Sequence, residues 1–158
     1  MTRTLILGNS GAGKSTLARR LATERDAHHL DLDPFAWLPT SPPERTPLSA
    51  AEEQIRADLD GHDAWVVEGC YADLLDLLVD DADEVLFLDV PVAICQEHAR
   101  ARPWEPHKYA TKEEQDQNLP MLLDWIASYP DREGPLGRPA HDALFSAFEG
   151  AKTRITSP

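Results

Sequence analysis

Thr4-Leu5-Ile6-Leu7 is an unbroken apolar run closed by Gly8, the pattern of a short strand buried on both faces. From Lys14 onward the period changes. Leu17, Ala18, Leu21 and Ala22 recur at helical spacing with Arg19 and Arg20 opposite, which predicts a first helix. His29-Leu30-Asp31-Leu32-Asp33 alternates polar and apolar residues up to Pro34 and predicts a second strand. Residues 34–48 hold five prolines together with Phe35 and Trp37, and fit no regular element. An irregular connection of that length is commonly functional. Ser49-Ala50-Ala51-Glu52 has the spacing of a capping box, opening a helix whose Ile55 and Leu59 face inward and which ends at Gly61.

Residues 64–69 predict a third strand, residues 71–79 a helix carrying Leu74, Leu75, Leu77 and Leu78, and residues 85–89 a fourth strand. Pro91 opens a helix that runs to about Ala101 before Pro103 stops it. Thr111-Lys112-Glu113-Glu114 is a second capping box. Its helix meets Pro120, which has no amide hydrogen, so the stretch to Tyr129 is expected to kink or to split in two. Trp125, Ile126 and Tyr129 form a stripe at helical spacing and are assigned to the core. Residues 141–148 complete the helices, and 153–156 add an edge strand. Strands alternating with helices require parallel pairing and right-handed crossovers, so the fold class is α/β, a doubly wound parallel sheet of about five strands.

The composition fits one globular domain over residues 1–158, with 42% hydrophobic and 27% charged residues. A formal charge of −13 is the wrong sign for a protein held to nucleic acid by counterion release. No apolar run approaches the roughly 20 residues of a membrane span, and the first residues lack a signal-peptide pattern, so a cytoplasmic protein without a membrane partner is expected. Cys70 and Cys95 form at most one bridge and are expected as free thiols. His28-His29 and Cys95-x-x-His98 lack the four-ligand spacing of a structural zinc site and are assigned to ordinary strand and helix positions.

The chemistry is concentrated at the end of the first strand. Gly8-Asn9-Ser10-Gly11-Ala12-Gly13-Lys14-Ser15 fits GxxxxGK[ST], the P-loop (Walker A) pattern, between a predicted strand and a predicted helix. Free amides and the positive end of a helix dipole make such a junction an anion site. Glycines there let the backbone curl round a phosphate, Lys14 is expected to reach β- and γ-phosphate oxygens, and the Ser15 hydroxyl to ligate Mg²⁺. No NKxD guanine-reading sequence and no LSGGQ-like run occurs, which favours ATP over GTP and a compact kinase over a transport ATPase.

The segments Leu7-Gly8-Asn9-Ser10-Gly11-Ala12-Gly13-Lys14-Ser15-Thr16 and Leu30-Asp31-Leu32-Asp33-Pro34-Phe35-Ala36-Trp37 resemble those of the small P-loop kinases. The group is that of adenylate kinase and shikimate kinase, with topology-modulation-like proteins nearest. The resemblance implies the P-loop NTPase fold with strand order 2-3-1-4-5, and a nucleotide cradle running from Gly8 to Thr16. It further implies an acceptor-side segment over residues 34–60 and a lid over residues 100–112.

Roles follow from that resemblance. Asp33 is expected to orient or deprotonate the acceptor hydroxyl, with Asp31 a water-mediated partner of Mg²⁺. Both Glu68 and Asp89 follow apolar strands as a Walker B acid would; the implied topology favours Glu68. Gly69 is expected to let the chain pass close to substrate. Arg100 and Arg102 are the lid cations that fork hydrogen bonds onto the transferring phosphoryl group. Arg45 is expected to read an anionic group on the acceptor, and Phe35 and Trp37 either to stack on a ring or to pin the 34–48 segment. The expected activity is ATP·Mg²⁺-dependent phosphoryl transfer to a hydroxyl or phosphate of a small nucleotide-, sugar- or antibiotic-like acceptor, by a monomer or dimer. Alternatives are a nucleotide-binding regulatory protein, or a slow NTPase signalling to a protein partner.

Overall fold

The computed structural model describes residues 2–157. In chain order it contains β1 (Arg3–Gly8), α1 (Lys14–Arg25), β2 (His28–Asp31), α2 (Asp33–Ala36), β3 (Trp37–Leu38), β4 (Glu44–Arg45), α3 (Leu48–Leu59) and β5 (Trp65–Gly69). There follow α4 (Ala72–Asp76), β6 (Glu84–Leu88), α5 (Val92–Ala101), α6 (Lys112–Ala127), a 3-10 turn (Tyr129–Asp131), α7 (Arg138–Ala147) and β7 (Ala151–Ile155). Five strands form one parallel sheet in the order β2-β5-β1-β6-β7. β3 and β4 form a separate antiparallel hairpin.

Alternation along β1 divides the core. Leu5 and Leu7 join Val67, Phe87 and the buried faces of α3, α4 and α7, while Ile6 joins Val66, Leu86 and the buried faces of α1, α5 and α6. Helices therefore cover both faces of the sheet, and the carboxyl ends of β2, β5, β1 and β6 open on one edge, where such folds bind ligands. No helix among the described residues is long and apolar enough to cross a membrane.

The numbering of the sheet differs from the expected 2-3-1-4-5 because the 34–48 segment conceals two short strands and a helical turn. Strand β2 stops at Asp31 rather than continuing to Asp33. The Asp31 carboxylate accepts the Asp33 N–H at 2.9 Å and bends the chain, and Pro34, whose fixed φ suits a first helical turn, sends it into α2. α3 begins at Leu48 with Pro47 at its N-cap, so Ser49 lies inside the helix and the first capping box is not formed. Thr111, by contrast, caps α6 by accepting from the Glu114 amide at 3.1 Å.

α4 is shorter than the expected 71–79 helix. Beyond Asp76 the chain tightens into turns, with the Leu77 and Leu78 amides bonded to the carbonyls of Leu74 and Leu75. α6 passes through Pro120 as one helix. Ile126 and Tyr129 are buried, but Trp125 is 42% exposed, its ring covered on one face by the Arg132 guanidinium at 3.4 Å. That corrects its assignment to the core.

Candidate functional site

Residues 9–13 of the glycine-rich segment form the turn between β1, which ends at Gly8, and α1. Gly11 and Gly13 have φ of +81° and +97°, conformations that side-chain-bearing residues rarely adopt. No side chain caps α1, so the amides of its first turn have no intrahelical acceptor and face the loop. The Lys14 ammonium donates to the Asn9 carbonyl at 2.7 Å, one of its three N–H donors. Asn9 turns its side chain inward, where Nδ2 donates to the Ile126 carbonyl at 3.1 Å and fastens the loop to α6. Ala12 is buried, Ser10 and Ser15 are half-buried, and Thr16 is exposed.

Two carboxylates, Asp31 and Glu68, stand at the ends of the strands on one side of β1. The β2–β5 register places Asp31 beside Glu68. Glu68 is buried and bonded to His29 Nε2 at 3.0 Å. Burial pushes the Glu68 carboxyl up, but the hydrogen bonds of His29 and Ser15 and the charge of Lys14 outweigh it, leaving the group below the ordinary glutamate value. Asp31 moves the other way: burial, and then the charges of Asp33 and Glu68, raise it. Ser15, Glu68 and Asp31 are oxygen donors of the type Mg²⁺ takes alongside substrate phosphates, but no group of three or more histidine, cysteine or acidic side chains among the described residues is arranged to hold a metal ion by itself. Asp89 is differently employed. Arg138 and Arg154 both donate to its carboxylate, at 2.7 and 2.6 Å, and hold it below the ordinary range.

In the segment after β2, Asp33 Oδ1 accepts from the Tyr71 hydroxyl at 2.8 Å, and that hydroxyl accepts from Trp37 Nε1 at 3.0 Å. Trp37 is 40% exposed, while Phe35 packs against the core. Arg45 does not stand open to an anion. Its Nη2 donates to both carboxylate oxygens of Asp73, at 3.1 and 3.0 Å, its Nε donates to the Ala36 carbonyl, and its guanidinium lies over the rings of Trp37 and Tyr71. Gly69 is packed by protein: a Cβ there would stand 3.0 Å from the Leu32 Cβ.

Arg100 and Arg102, at the end of α5, line a pocket of about 160 Å³ with Ser10, Lys108, Tyr109 and Leu122. Arg102 is only loosely paired, 4.0 Å from Glu105. The segment between α5 and α6 is laced to α6 by Gln115, which bonds both the Glu105 amide and the Pro103 carbonyl, and by Asn118, which donates to the Tyr109 hydroxyl.

No family model matches the chain. It is 30% identical over 129 residues to the uncharacterized protein YqaC of Bacillus subtilis (strain 168), across 78% of this chain and 70% of that one. The chain belongs to the YqaC family. Among solved structures, it resembles an unliganded crystal structure of a sugar kinase from Janibacter sp. HTCC2649 over 100% of this chain and 87% of that one. The TM-score is 0.52 and the identity 18%, a likeness of fold.

In this YqaC-family chain the structure brings Lys14, Ser15, Asp31, Asp33 and Glu68 to one edge, with Arg100 and Arg102 beside Ser10. Arg45 and Asp89 are tied into ion pairs instead. Three residues of the site escape the sequence patterns. His29 is bound to Glu68 only through strand pairing, and Tyr71 meets Asp33 across 38 positions of chain. His98, whose Nδ1 lies 2.6 Å from the Gly11 carbonyl, carries one signal: it follows the buried Cys95 by three positions on the same helix face.

Proposed function

We propose that this protein is an ATP-dependent phosphotransferase acting on a small hydroxyl-bearing acceptor. The observation that carries the proposal is the turn between β1 and α1, with Gly11 and Gly13 at positive φ and the Lys14 ammonium folded onto the Asn9 carbonyl, beside the buried Glu68 of the adjacent strand. That neighbourhood suits a nucleotide triphosphate with its metal. The loop amides and Lys14 hold the phosphates. Ser15 and Glu68, with Asp31 in support, would hold Mg²⁺, which would supply neutralising charge to the phosphates. The acceptor oxygen attacks the γ-phosphorus, a new P–O bond forms, the bond to the β,γ-bridging oxygen breaks, and ADP leaves. The acceptor proton passes to Asp33 Oδ2. Arg100 and Arg102 meet the charge on the transferring group.

The acceptor side narrows the substrate. It offers carboxylate oxygens and the exposed Trp37 ring, while its guanidinium, Arg45, is engaged by Asp73 and Ala36. An acceptor rich in hydroxyl donors, such as a sugar or polyol, matches those groups better than a phosphorylated one. A metabolite library screened for acceptor-dependent ADP release, with mass spectrometry of the product, tests the proposal. The expected result is a product heavier by one phosphoryl group. ADP release that no acceptor changes identifies a slow NTPase instead.

A further inference from the structure

His98 lies outside the machinery assigned above, yet it touches the glycine-rich loop. Its half-buried ring places Nδ1 2.6 Å from the Gly11 carbonyl oxygen. A carbonyl only accepts, so Nδ1 carries the hydrogen. On the other side of the same peptide bond, the Ala12 N–H donates to the Asn9 carbonyl at 3.2 Å. A peptide unit is planar, and fixing both its C=O and its N–H fixes the orientation of the whole plane.

The approach of α5 to this point is built into the chain. Cys95, three positions before His98, is fully buried, and a Cβ on Gly11 would stand 2.4 Å from its carbonyl oxygen. Only glycine admits the helix so closely, and it does so at φ +81°. The freedom that lets Gly11 adopt this shape also lets the Gly11–Ala12 plane turn over. That turn is costly, because it breaks the Ala12 N–H bond to the Asn9 carbonyl and swings the Gly11 oxygen from α5 to the inner side of the loop, where an anion cradle needs donors.

We propose that His98 is a positioning residue for nucleotide binding: its Nδ1–H draws the Gly11 carbonyl toward α5 and so keeps it out of the phosphate cradle. The inference rests on the reading of residues 8–15 as the site of the nucleotide phosphates. It also joins that loop to the helix ending in Arg100 and Arg102, so that loop and lid arginines share one support.

Titration with MgATP and MgADP by calorimetry, beside thermal unfolding, tests this on the wild-type chain and on Lys14→Ala, His98→Ala, His98→Asn and His98→Gln. An asparagine amide nitrogen branches from the chain where Nδ1 does; that of glutamine reaches one bond further, toward the position of Nε2. His98→Ala is expected to weaken both nucleotides by about tenfold, the size of one hydrogen bond. His98→Asn should recover most of that loss and His98→Gln little of it. Equal weakening in Asn and Gln, full recovery by Gln alone, or unchanged affinity in His98→Ala overturns the proposal. Where the alanine variant does not fold, the contrast between Asn and Gln decides. Wild-type binding that Lys14→Ala weakens but His98→Ala leaves intact refutes the role of His98 alone. A wild-type chain that binds neither nucleotide refutes the phosphate-loop reading and this inference with it.

Discussion

The Tyr71 hydroxyl donates a 2.8 Å hydrogen bond to Asp33 Oδ1 while accepting one from Trp37 Nε1 at 3.0 Å. Burial, with the nearby Cys70 and Asp33, raises the Tyr71 phenol well above its ordinary value, so it remains a donor across the working pH range. One oxygen of Asp33 is thereby held in a fixed direction, and in the proposed mechanism the other takes the acceptor proton. Asp33→Asn should lower kcat by about 10² to 10⁴ with ATP affinity preserved, the range for losing a general base. Tyr71→Phe keeps the ring and removes the donor, and should lower kcat by about tenfold with acceptor KM nearly unchanged. A change confined to acceptor KM in Asp33→Asn would make Asp33 a binding residue.

Lys14 supplies an ammonium at the loop, and its only hydrogen bond to protein among the described residues is to the Asn9 carbonyl. Lys14→Ala should weaken MgATP binding by roughly 10- to 100-fold, as expected for a charge-assisted hydrogen bond, and abolish turnover. The circular dichroism spectrum should not change, because no core contact depends on the ammonium. Retained turnover would remove the nucleotide phosphates from this loop.

His141 is fully buried, with Nε2 2.8 Å from the Cys70 carbonyl and Nδ1 2.7 Å from the Tyr129 hydroxyl. The Cys70 carbonyl requires the hydrogen on Nε2, so Nδ1 accepts from Tyr129 and the neutral ring is satisfied on both sides. Burial, aided by the charges of Lys14 and Arg132, pushes its pKa down to about 4. The unfolded chain takes up this proton near pH 6.5, so the stabilisation is complete above that value and is lost as pH falls toward 4. The loss amounts to about 3 kcal/mol. Urea unfolding at intervals from pH 7.5 to 4 should show that slope in the wild type and a flatter one in His141→Gln. Parallel curves would mean that His141 does not titrate with unfolding.

What the sequence discloses and what it hides divide along physical lines. The β1 run, the glycine motif and α1 are read from consecutive residues, because local period and turn chemistry alone determine them. Hydrophobic pattern locates β5 and β6 for the same reason. The 34–48 segment is obscured because α2 and the β3–β4 hairpin are too short to show a period, and an Asp31 side chain, not an apolar rhythm, ends β2. Arg45 and Asp89 look like free site residues in one dimension. Their partners, Asp73 in the one case and Arg138 and Arg154 in the other, are found only once the helices have packed.

Arg100 and Arg102 share a pocket with Ser10 at the loop, on a segment that Gln115 and Asn118 fasten to α6. α6 is in turn tied at its far end to the loop, through Ile126 and Asn9. The loop and the arginines are therefore joined through α6, and in the proposed mechanism a closing movement would carry residues 100–112 and the start of α6 together. Hydrogen exchange across 100–112 should slow when an ATP analogue and the acceptor are both bound. To reach a phosphoryl oxygen Arg102 would give up only a 4.0 Å contact to Glu105, a small loss for a half-exposed pair. Arg100→Ala or Arg102→Ala should lower kcat by on the order of 10² or more with little loss of ATP affinity, since an arginine of this kind acts in the transition state. Unchanged exchange on ligand binding, together with normal turnover in both alanine variants, would show these arginines to be surface cations and leave the transferring phosphoryl to Lys14 alone.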